Sequence, residues 1–297
     1  MVSEMNVSRR LSLFSKNIYS QFGEDGIIEE VLRRFQTNGI LCDFTCVEFG
    51  AWDGVYLSNT CNLILNHHYK AVLIEADSKK SSEISANFKN QDVTVINRRV
   101  GTSAQDSLDS ILAKTGISPN FDFLSIDVDG MDYHILASLE KFRPKIICVE
   151  FNSSIPNEVE FVQASDPRIN QGSSPLSINL LAITMGYKLV AATYCNLIFV
   201  KKEYLQFAIS FQKEPDLSEL RDDAESKNYV FFGYDGQIIT QKPLFTSWHQ
   251  VVVSSRRIQG IPRIFRKFPS NFGSFRNWLW SRYIGIKNRP GSYPKVL

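Results

Sequence analysis

The sequence lacks the features that would place it across a membrane or in an oxidising compartment. None of its apolar runs approaches the roughly 18 residues that a transmembrane helix needs. The N-terminus has no continuous hydrophobic block, so we expect no secretory signal. The five cysteines are odd in number and form no CxxC pair, which indicates reduced thiols and not a disulfide framework. We therefore predict a cytoplasmic protein.

Acidic residues are missing from the end of the chain. None follows Asp235, whereas eleven lysines or arginines do. Subtracting these from the chain totals of 33 basic and 31 acidic residues leaves 22 basic and 31 acidic in residues 1–235, a balance of −9. The body is acidic and the tail is basic. Such a split concerns the partners of a protein and not its fold.

Seven β-rich runs lie between residues 43 and 201, and helical patterns separate most of them. The predicted strands cover 43–49, 70–76, 92–97, 121–128, 145–151, 187–193 and 196–201, and the predicted helices 54–67, 78–90, 106–114, 131–142 and 176–185. Most runs are continuously hydrophobic, which is typical of parallel strands covered on both faces. Only Tyr194 and Cys195 separate the last two, which must therefore pair antiparallel. We predict an α/β fold with a seven-stranded, mostly parallel, Rossmann-like sheet whose last strand is antiparallel.

The first predicted strand leads into a glycine-containing loop, residues 48–54, that differs from GxGxxG. Gly50 and Gly54 allow a tight turn and a close approach to a ligand. The carboxylates of Glu48 and Asp53 would repel a pyrophosphate, which disfavours NAD and ATP. A ligand with an ammonium group, a sulfonium and ribose hydroxyls suits this loop. S-adenosylmethionine has all three.

An acidic residue, Glu75, ends the second predicted strand. It follows Gly54 by 21 positions, close to the offset of about 20 at which an acid meets a ribose. Its carboxylate can accept hydrogen bonds from both ribose hydroxyls. The alternative is a solvated strand end, with Asp77 or Ser78 as a helix N-cap.

More oxygen ligands follow the fourth and fifth predicted strands. Asp127 and Asp129 point to the same side, and Glu150 and Asn152 do so on the next strand. Hard oxygen ligands suit Mg²⁺ or another divalent cation, so we predict a metal site made of Asp127, Glu150 and Asn152. A hydrogen-bonded cluster that grips the cofactor or a sugar is the alternative.

Two further features belong to the predicted active site. His134 follows the acidic cluster and could act as a general base beside Asp127 and Asp129, although a lone histidine on a helix is more often a surface or core residue. Residues 152–175 are rich in Ser, Asn and Pro and leave the carboxyl end of the fifth strand. A loop there is more often a substrate lid than a linker. We call it the substrate loop.

Five segments in this order resemble the FkbM-type S-adenosylmethionine-dependent methyltransferases. They are YSQFGEDG (19–26), VEFGAWDG (47–54), LIEAD (73–77), FLSIDVDGMDYHIL (123–136) and VEFN (149–152). The resemblance covers about residues 18–201 and implies methylation of hydroxyls of sugars or polyketides. It also implies that Gln21 closes over the cofactor. With it, the expected cofactor-binding residues are Gln21, Glu48, Gly50, Ala51, Asp53, Gly54, Glu75 and Asp127.

The chain departs from this family after the fourth strand. The usual Asp-x-Glu-Gly-x-Glu pattern is Asp127-Val-Asp129-Gly130-Met-Asp132 here, so shorter acids keep the charge but change the reach. Catechol-type O-methyltransferases have two adjacent metal ligands after the fifth strand, whereas Phe151 intervenes in this chain. Enzymes that methylate nucleic-acid bases commonly carry Asn/Asp-Pro-Pro-aromatic after the fourth strand. This chain has Asp-Val-Asp-Gly there (residues 127–130), so base methylation is disfavoured.

The predicted organisation has three parts. Residues 1–42 form a cofactor-covering segment, 43–205 the methyltransferase core and 206–297 a C-terminal extension that is basic and aromatic after residue 236. Residues 250–297 hold ten basic and no acidic residues among aromatics. This pattern suits an anionic membrane surface or glycan, and the protein could then lie at the inner face of the membrane. It is equally compatible with a structural extension or an oligomer contact, whereas nucleic-acid binding is disfavoured.

The sequence thus predicts an O-methyltransferase that acts on a hydroxyl of a sugar in a polysaccharide or natural-product glycoside. The alternative is a non-catalytic binding protein that keeps the fold and works through its basic tail. A nicotinamide-dependent reductase is opposed by the acidic glycine loop and by the terminal hairpin.

Overall fold

A computed structural model describes residues 10–209 and 214–287. Residues 1–9 of the predicted N-terminal segment and residues 288–297 of the basic tail lie outside this range. The chain divides into two compact units, Met1–Ser226 and Lys227–Leu297. Residues 206–209 and 214–226, which the sequence assigned to the extension, cluster with the first unit, whereas residues 210–213 lie outside the described range.

The first unit is built on a seven-stranded sheet of order β3-β2-β1-β4-β5-β7-β6. Its strands are β1 (Thr45–Phe49), β2 (Lys70–Glu75), β3 (Val93–Asn97), β4 (Phe123–Ile126), β5 (Ile146–Glu150), β6 (Tyr187–Ala192) and β7 (Asn196–Lys201). All pairs are parallel except those of β7, which runs antiparallel to β5 and β6. The predicted sheet and its terminal hairpin are confirmed.

Helices cover both faces of this sheet. They are α1 (Glu24–Thr37), α2 (Cys61–His67), α3 (Ser78–Asn87), α4 (Leu108–Leu112), α5 (Asp132–Ala137), α6 (Pro175–Thr184), α7 (Leu205–Ala208) and α8 (Leu217–Leu220). Alternate strand residues enter two separate cores, because successive side chains point to opposite faces. Cys46 belongs to the core that includes α1, and its neighbour Val47 to the core that includes α4 and α6.

The predicted helix over 54–67 is wrong in its first half, since α2 begins only at Cys61. The carboxylate of Asp53 accepts the backbone N–H groups of Val55 and Tyr56. Glu48 accepts the backbone N–H of Asn59. These side-chain hydrogen bonds take up the backbone groups that a helix would need.

The predicted helix over 131–142 is also too long, because α5 ends at Ala137. The buried carboxylate of Asp109 accepts the backbone N–H groups of Glu140, Lys141 and Phe142. This contact spans about thirty residues of sequence, so no local pattern could reveal it.

Residues 227–287 of the second unit form two antiparallel hairpins and one longer helix. Its elements are β8 (Val230–Phe232), β9 (Ile238–Thr240), β10 (Leu244–Thr246), β11 (Val251–Val253) and α9 (Ser274–Lys287). Phe265 and Phe272 are buried, and their rings lie 5.2 and 6.0 Å from that of Trp280. This aromatic cluster takes the place of a larger core.

All five cysteines are free. Within the described residues, no helix combines the length and the apolarity needed to cross a bilayer.

Candidate active site

A cavity of about 760 Å³ opens where β1, β2 and β4 end. This size is within the range of small-molecule sites in proteins. Of the residues predicted to act, those that line it are Glu48, Gly50, Glu75, Asp127 and Asp129. Ser165, Pro167, Ile169 and Asn170 of the substrate loop line the same cavity. The loop and the sheet edge therefore line one cavity.

Gly50 fixes the approach of β1 to β4. Its φ is +72°, and a Cβ there would lie 1.7 Å from the backbone oxygen of Asp127. Only glycine fits this conformation and this spacing. The neighbouring Ala51 is buried behind the loop, where its N–H lies 3.3 Å from the oxygen of Ile74.

Glu48 is buried and anchors the chain that leads into α2. Its Oε2 accepts from the hydroxyls of Ser58 and Thr60, each at 2.6 Å, and its Oε1 accepts from the N–H of Asn59 at 3.0 Å. Burial raises the pKa of Glu48, against the lowering effect of these hydrogen bonds. A carboxylate has about four acceptor positions. Ser58, Thr60 and Asn59 occupy three of those of Glu48, so one remains for a donor in the cavity.

Glu75 also combines a structural contact with a place in the cavity. Its Oε2 accepts the N–H of Trp52 at 2.8 Å, and its Oε1 accepts the N–H of Asp77 at 2.7 Å. The side chain therefore joins the glycine loop to the end of β2. Each oxygen keeps a second lone pair, which is what two ribose hydroxyls require.

Asp53 and Gly54 shape the loop without lining the cavity. Burial tends to raise the pKa of Asp53, but the N–H groups of Tyr56 and Val55 outweigh it and the pKa is lowered. Gly54 has φ +78°, and a Cβ there would lie 2.5 Å from the ring of Phe88. Asp53 and Gly54 thus stabilise the conformation of the glycine loop.

Gln21 is exposed and does not line the cavity, and its backbone oxygen accepts from Asn17. The acids that follow it organise this segment instead. Asp25 accepts three consecutive backbone N–H groups, those of residues 18–20, at 2.7–2.8 Å. Glu24 accepts from Thr193 and Asn196 of the terminal hairpin. Neither role was predicted from the sequence, although two acids at the start of a helix were a signal.

Three carboxyl groups meet at the ends of β4 and β5. Ligand atoms of Asp127, Asp129 and Glu150 lie within 4.8 Å of one another. Burial raises the pKa of Glu150, and the charge of Asp127 raises it further. Burial and the charge of Asp132 likewise raise the pKa of Asp127, which is hydrogen-bonded to Glu150. We infer that a protonated Glu150 donates to Asp127 near neutral pH.

The turn after β4 depends on Asp132. Its buried carboxylate accepts the N–H groups of Val128 and Gly130, at 2.9 and 2.8 Å. Asp129 lies between them with φ +55° and is exposed at the cavity. The turn thus holds Asp129 beside Asp127 although β4 already ends at Ile126.

Asn152, the third predicted metal ligand, is directed into the substrate loop. Its Oδ1 accepts from the N–H and the hydroxyl of Ser154, and its Nδ2 donates to the oxygen of Gln171 at 2.7 Å. The structure therefore brings carboxylate atoms of Asp127 and Glu150 within 4.8 Å of one another, whereas the amide of Asn152 is hydrogen-bonded within the substrate loop.

His134 contacts the substrate loop and does not line the cavity. Its Nε2 lies 2.8 Å from the backbone oxygen of Gln163. The buried side chain of Gln163 accepts the N–H groups of Gln171 and Gly172 and packs so closely on Gly130 that a Cβ there would lie 2.7 Å from its Oε1. Gln163 was not found by sequence analysis, since nothing in the local pattern marks it.

The other end of the substrate loop is held by Arg221. Its guanidinium donates to the oxygens of Ser153 and Ile155 and to Oδ1 of Asn157, at 2.7–3.0 Å. It also lies 4.8 Å from the centre of the Phe151 ring. Arg221 belongs to the segment after the sheet, and its role was not predicted from the sequence.

Two arginines, Arg98 and Arg99, line the otherwise acidic cavity after β3. Arg98 donates to the oxygen of Gln105, and Arg99 to that of Pro167 in the substrate loop at 3.3 Å. The sequence carried a signal for them, because two adjacent arginines follow a strand of the sheet whose carboxyl edge was predicted to hold the site.

A family model described as the methyltransferase FkbM domain matches residues 53–188. This chain carries an FkbM methyltransferase domain. The matched range runs from the end of the glycine loop to β6, and it includes Asp127, Asp129 and Glu150. With the seven-stranded sheet, it supports an S-adenosylmethionine-dependent methyltransferase, so the resemblance seen in the sequence is confirmed.

Solved structures resemble the FkbM domain only distantly. An S-adenosylmethionine-dependent methyltransferase from Aquifex aeolicus is 13% identical with a TM-score of 0.35, over 58% of this chain and 87% of that one. TrmK from M. capricolum, solved with S-adenosylhomocysteine, is 15% identical with a TM-score of 0.35, over 57% and 67%. A putative methyltransferase, yhhF from Escherichia coli, is 15% identical with a TM-score of 0.31, over 58% and 85%. Scores this low carry no argument about substrate. No curated protein matches the sequence.

Proposed function

We propose that the FkbM domain transfers a methyl group from S-adenosylmethionine to a hydroxyl of a sugar in a polysaccharide or natural-product glycoside. The observation that supports this most is that Glu48, Glu75 and Asp127 line one cavity. Two of these carboxylates suit the cofactor, and the third suits an acceptor hydroxyl.

The cofactor half of the cavity fits the donor groups of S-adenosylmethionine. Glu75 offers its free lone pairs to the ribose hydroxyls, and Glu48 offers its remaining acceptor position to the ammonium group. The bound cofactor supplies a methyl group made electrophilic by its sulfonium. Gly50 leaves room for the ligand to approach the backbone, since no Cβ intrudes.

The acceptor half would be formed by Asp127, Asp129 and the substrate loop. A hydroxyl becomes a good nucleophile as it loses its proton, and Asp127 faces the cavity where it can take that proton. Glu150 donates to Asp127 and so holds its carboxylate in place. The polar groups of Ser165 and Asn170 line the same cavity and suit the other hydroxyls of a sugar.

His134 has a different part in this proposal from the one that the sequence suggested. Since it contacts Gln163 and does not line the cavity, it would position the substrate loop. The loop in turn would exclude water while both reactants are held together.

Binding and turnover test the proposal separately. Calorimetry should show binding of S-adenosylmethionine and none of NADH, and the reverse result would overturn it. Incubation with isotope-labelled S-adenosylmethionine and a panel of glycans should then place the label in a methoxy group, detected by NMR. Label on nitrogen or carbon would contradict the hydroxyl acceptor. Cofactor binding without transfer to any glycan would favour the non-catalytic alternative.

A further inference from the structure

The second unit, Lys227–Leu297, is strongly cationic. It contains 12 of the 33 basic residues of the chain and only one acid, Asp235, out of 31. The first unit therefore has 21 basic and 30 acidic residues, a balance of −9, against +11 for the second. A negatively charged partner is attracted to the second unit and repelled by the first.

Helix α9 presents aromatic rings to solvent on one face. Phe275 and Trp278 are 73% and 52% exposed and lie one turn apart, with ring centres 6.2 Å apart. The guanidinium of Arg282 lies 4.7 Å over the Trp278 ring, another turn along. The three side chains form a continuous stripe, because residues three and four apart are neighbours on a helix.

This stripe is additional to the aromatic residues that hold the unit together. Trp280 and Tyr283 of the same helix stack 5.4 Å apart and pack on Phe265. Because these three rings already form an internal cluster, the exposed rings of Phe275 and Trp278 are not needed to hold the unit together. Large exposed apolar patches of this kind mark interaction sites.

The hairpins expose more apolar surface. Phe232 and Val252 are 73% and 62% exposed, and Phe245, Val230 and Val251 are also exposed. A two-stranded hairpin has no second layer to cover its faces and is at best marginally stable in water. A partner that covers these side chains would stabilise the unit.

We propose that the second unit binds the surface of an anionic phospholipid bilayer. Phe275 and Trp278 would enter the headgroup region, and Arg282 would contact lipid phosphates. Single-stranded nucleic acid could also stack on the rings. The exposed valines decide between the two, because aliphatic side chains are accommodated at the acyl boundary and gain nothing from base stacking.

Vesicle co-sedimentation of the full chain tests this proposal. The chain should sediment with vesicles that mix phosphatidylcholine and phosphatidylglycerol, and much less with phosphatidylcholine alone or in high salt. The double variant Phe275→Ser/Trp278→Ser should lower the partition coefficient by about tenfold or more, since it removes two apolar groups from the interface. Leu41→Ser, at an 88% exposed position of the first unit, is the matched control and should change nothing.

A second pair of variants tests the charge. Arg282→Gln should weaken binding to the mixed vesicles by about threefold or more, whereas Lys89→Gln, an exposed lysine of the first unit, should not. Circular dichroism and S-adenosylmethionine affinity check that each variant folds.

Several results would overturn the proposal. These are equal binding to neutral and mixed vesicles, unchanged binding of both second-unit variants, or binding to a single-stranded oligonucleotide in place of vesicles. A dimer in solution that Phe275→Ser/Trp278→Ser dissociates would instead identify a second copy of the chain as the partner.

Discussion

The backbone oxygen of Asp127 lies 1.7 Å from the point that a Cβ on Gly50 would occupy. Phe49 pairs with Ile126 in the register of β1 and β4. The residues that follow them, Gly50 and Asp127, therefore lie side by side just beyond the two strands. Because no side chain separates the strands at this level, the carboxylates of Glu48 and Asp127 line the same cavity. One glycine thus joins the two halves of the proposed active site.

Gly50→Ala should abolish measurable S-adenosylmethionine binding and lower the melting temperature. The methyl group would meet backbone, which cannot move aside as a flexible side chain can. Gly116→Ala is the matched control, because Gly116 has the same φ of +72° but nothing within 4 Å of the Cβ position. It should cost only about 1–2 kcal/mol of stability, through the left-handed backbone conformation, and leave binding intact. Similar calorimetric and melting results for both variants would refute this account.

Glu75→Gln should raise the Kd for S-adenosylmethionine by about 10- to 100-fold. The carboxylate of Glu75 now accepts the backbone N–H groups of Trp52 and Asp77, and the NH₂ of a glutamine would face one of these two donors. A glutamine side chain also offers fewer acceptors to a ribose than a carboxylate does. Glu140→Gln, a change at an exposed position of the first unit outside the cavity, is the control and should leave the Kd unchanged. Calorimetry measures both, and an unchanged Kd for Glu75→Gln would remove this residue from the cofactor site.

Asp127→Asn should lower kcat by about 10²- to 10⁴-fold, the usual range for loss of a general base. The pKa of Asp127 is raised by burial and by the charge of Asp132. A raised pKa leaves the carboxyl protonated over a wider pH range, so kcat should fall as the pH drops towards and below neutrality. The variant should lose this dependence.

The exposed Asp92→Asn is the control for that measurement and should keep the wild-type pH profile. If Asp127→Asn keeps both the rate and the profile, the proton is taken by another group.

Turnover should persist in excess EDTA. The amide oxygen of Asn152 accepts from Ser154, and Asp127 is hydrogen-bonded to Glu150, so each of the three predicted ligands already has a partner within the protein. Initial rates with and without the chelator decide the matter. Loss of activity that Mg²⁺ or Mn²⁺ restores, with cofactor affinity unchanged, would show that the acidic cluster works with a metal.

Arg221→Met should raise the KM for the acceptor and lower the melting temperature, with little change in the Kd for S-adenosylmethionine. The change keeps much of the apolar stem but leaves the oxygens of Ser153 and Ile155 without their donor, at a cost of about 1–3 kcal/mol each if they stay buried. Arg33→Met removes an exposed arginine from α1 and should affect neither constant. An equal rise in both constants for Arg221→Met would point to general loss of structure and not to the substrate loop.

The sequence by itself determined the sheet and the edge of the sheet at which the cavity lies. Strands were recognisable because each is a short apolar run, and the two residues between β6 and β7 allow no crossover. Glu48, Gly50 and Glu75 could be placed because they lie at strand ends, and the carboxyl ends of parallel strands meet at one edge. These are local signals.

Only the tertiary structure decided where the remaining side chains point. Asn152 and His134 lie near the expected places, but their hydrogen bonds go to Gln171 and Gln163, on the far part of the substrate loop. Arg221 reaches Asn157 across 64 residues of sequence. Such contacts depend on which loops the fold brings together, and the periodicity of a sequence carries no information about that.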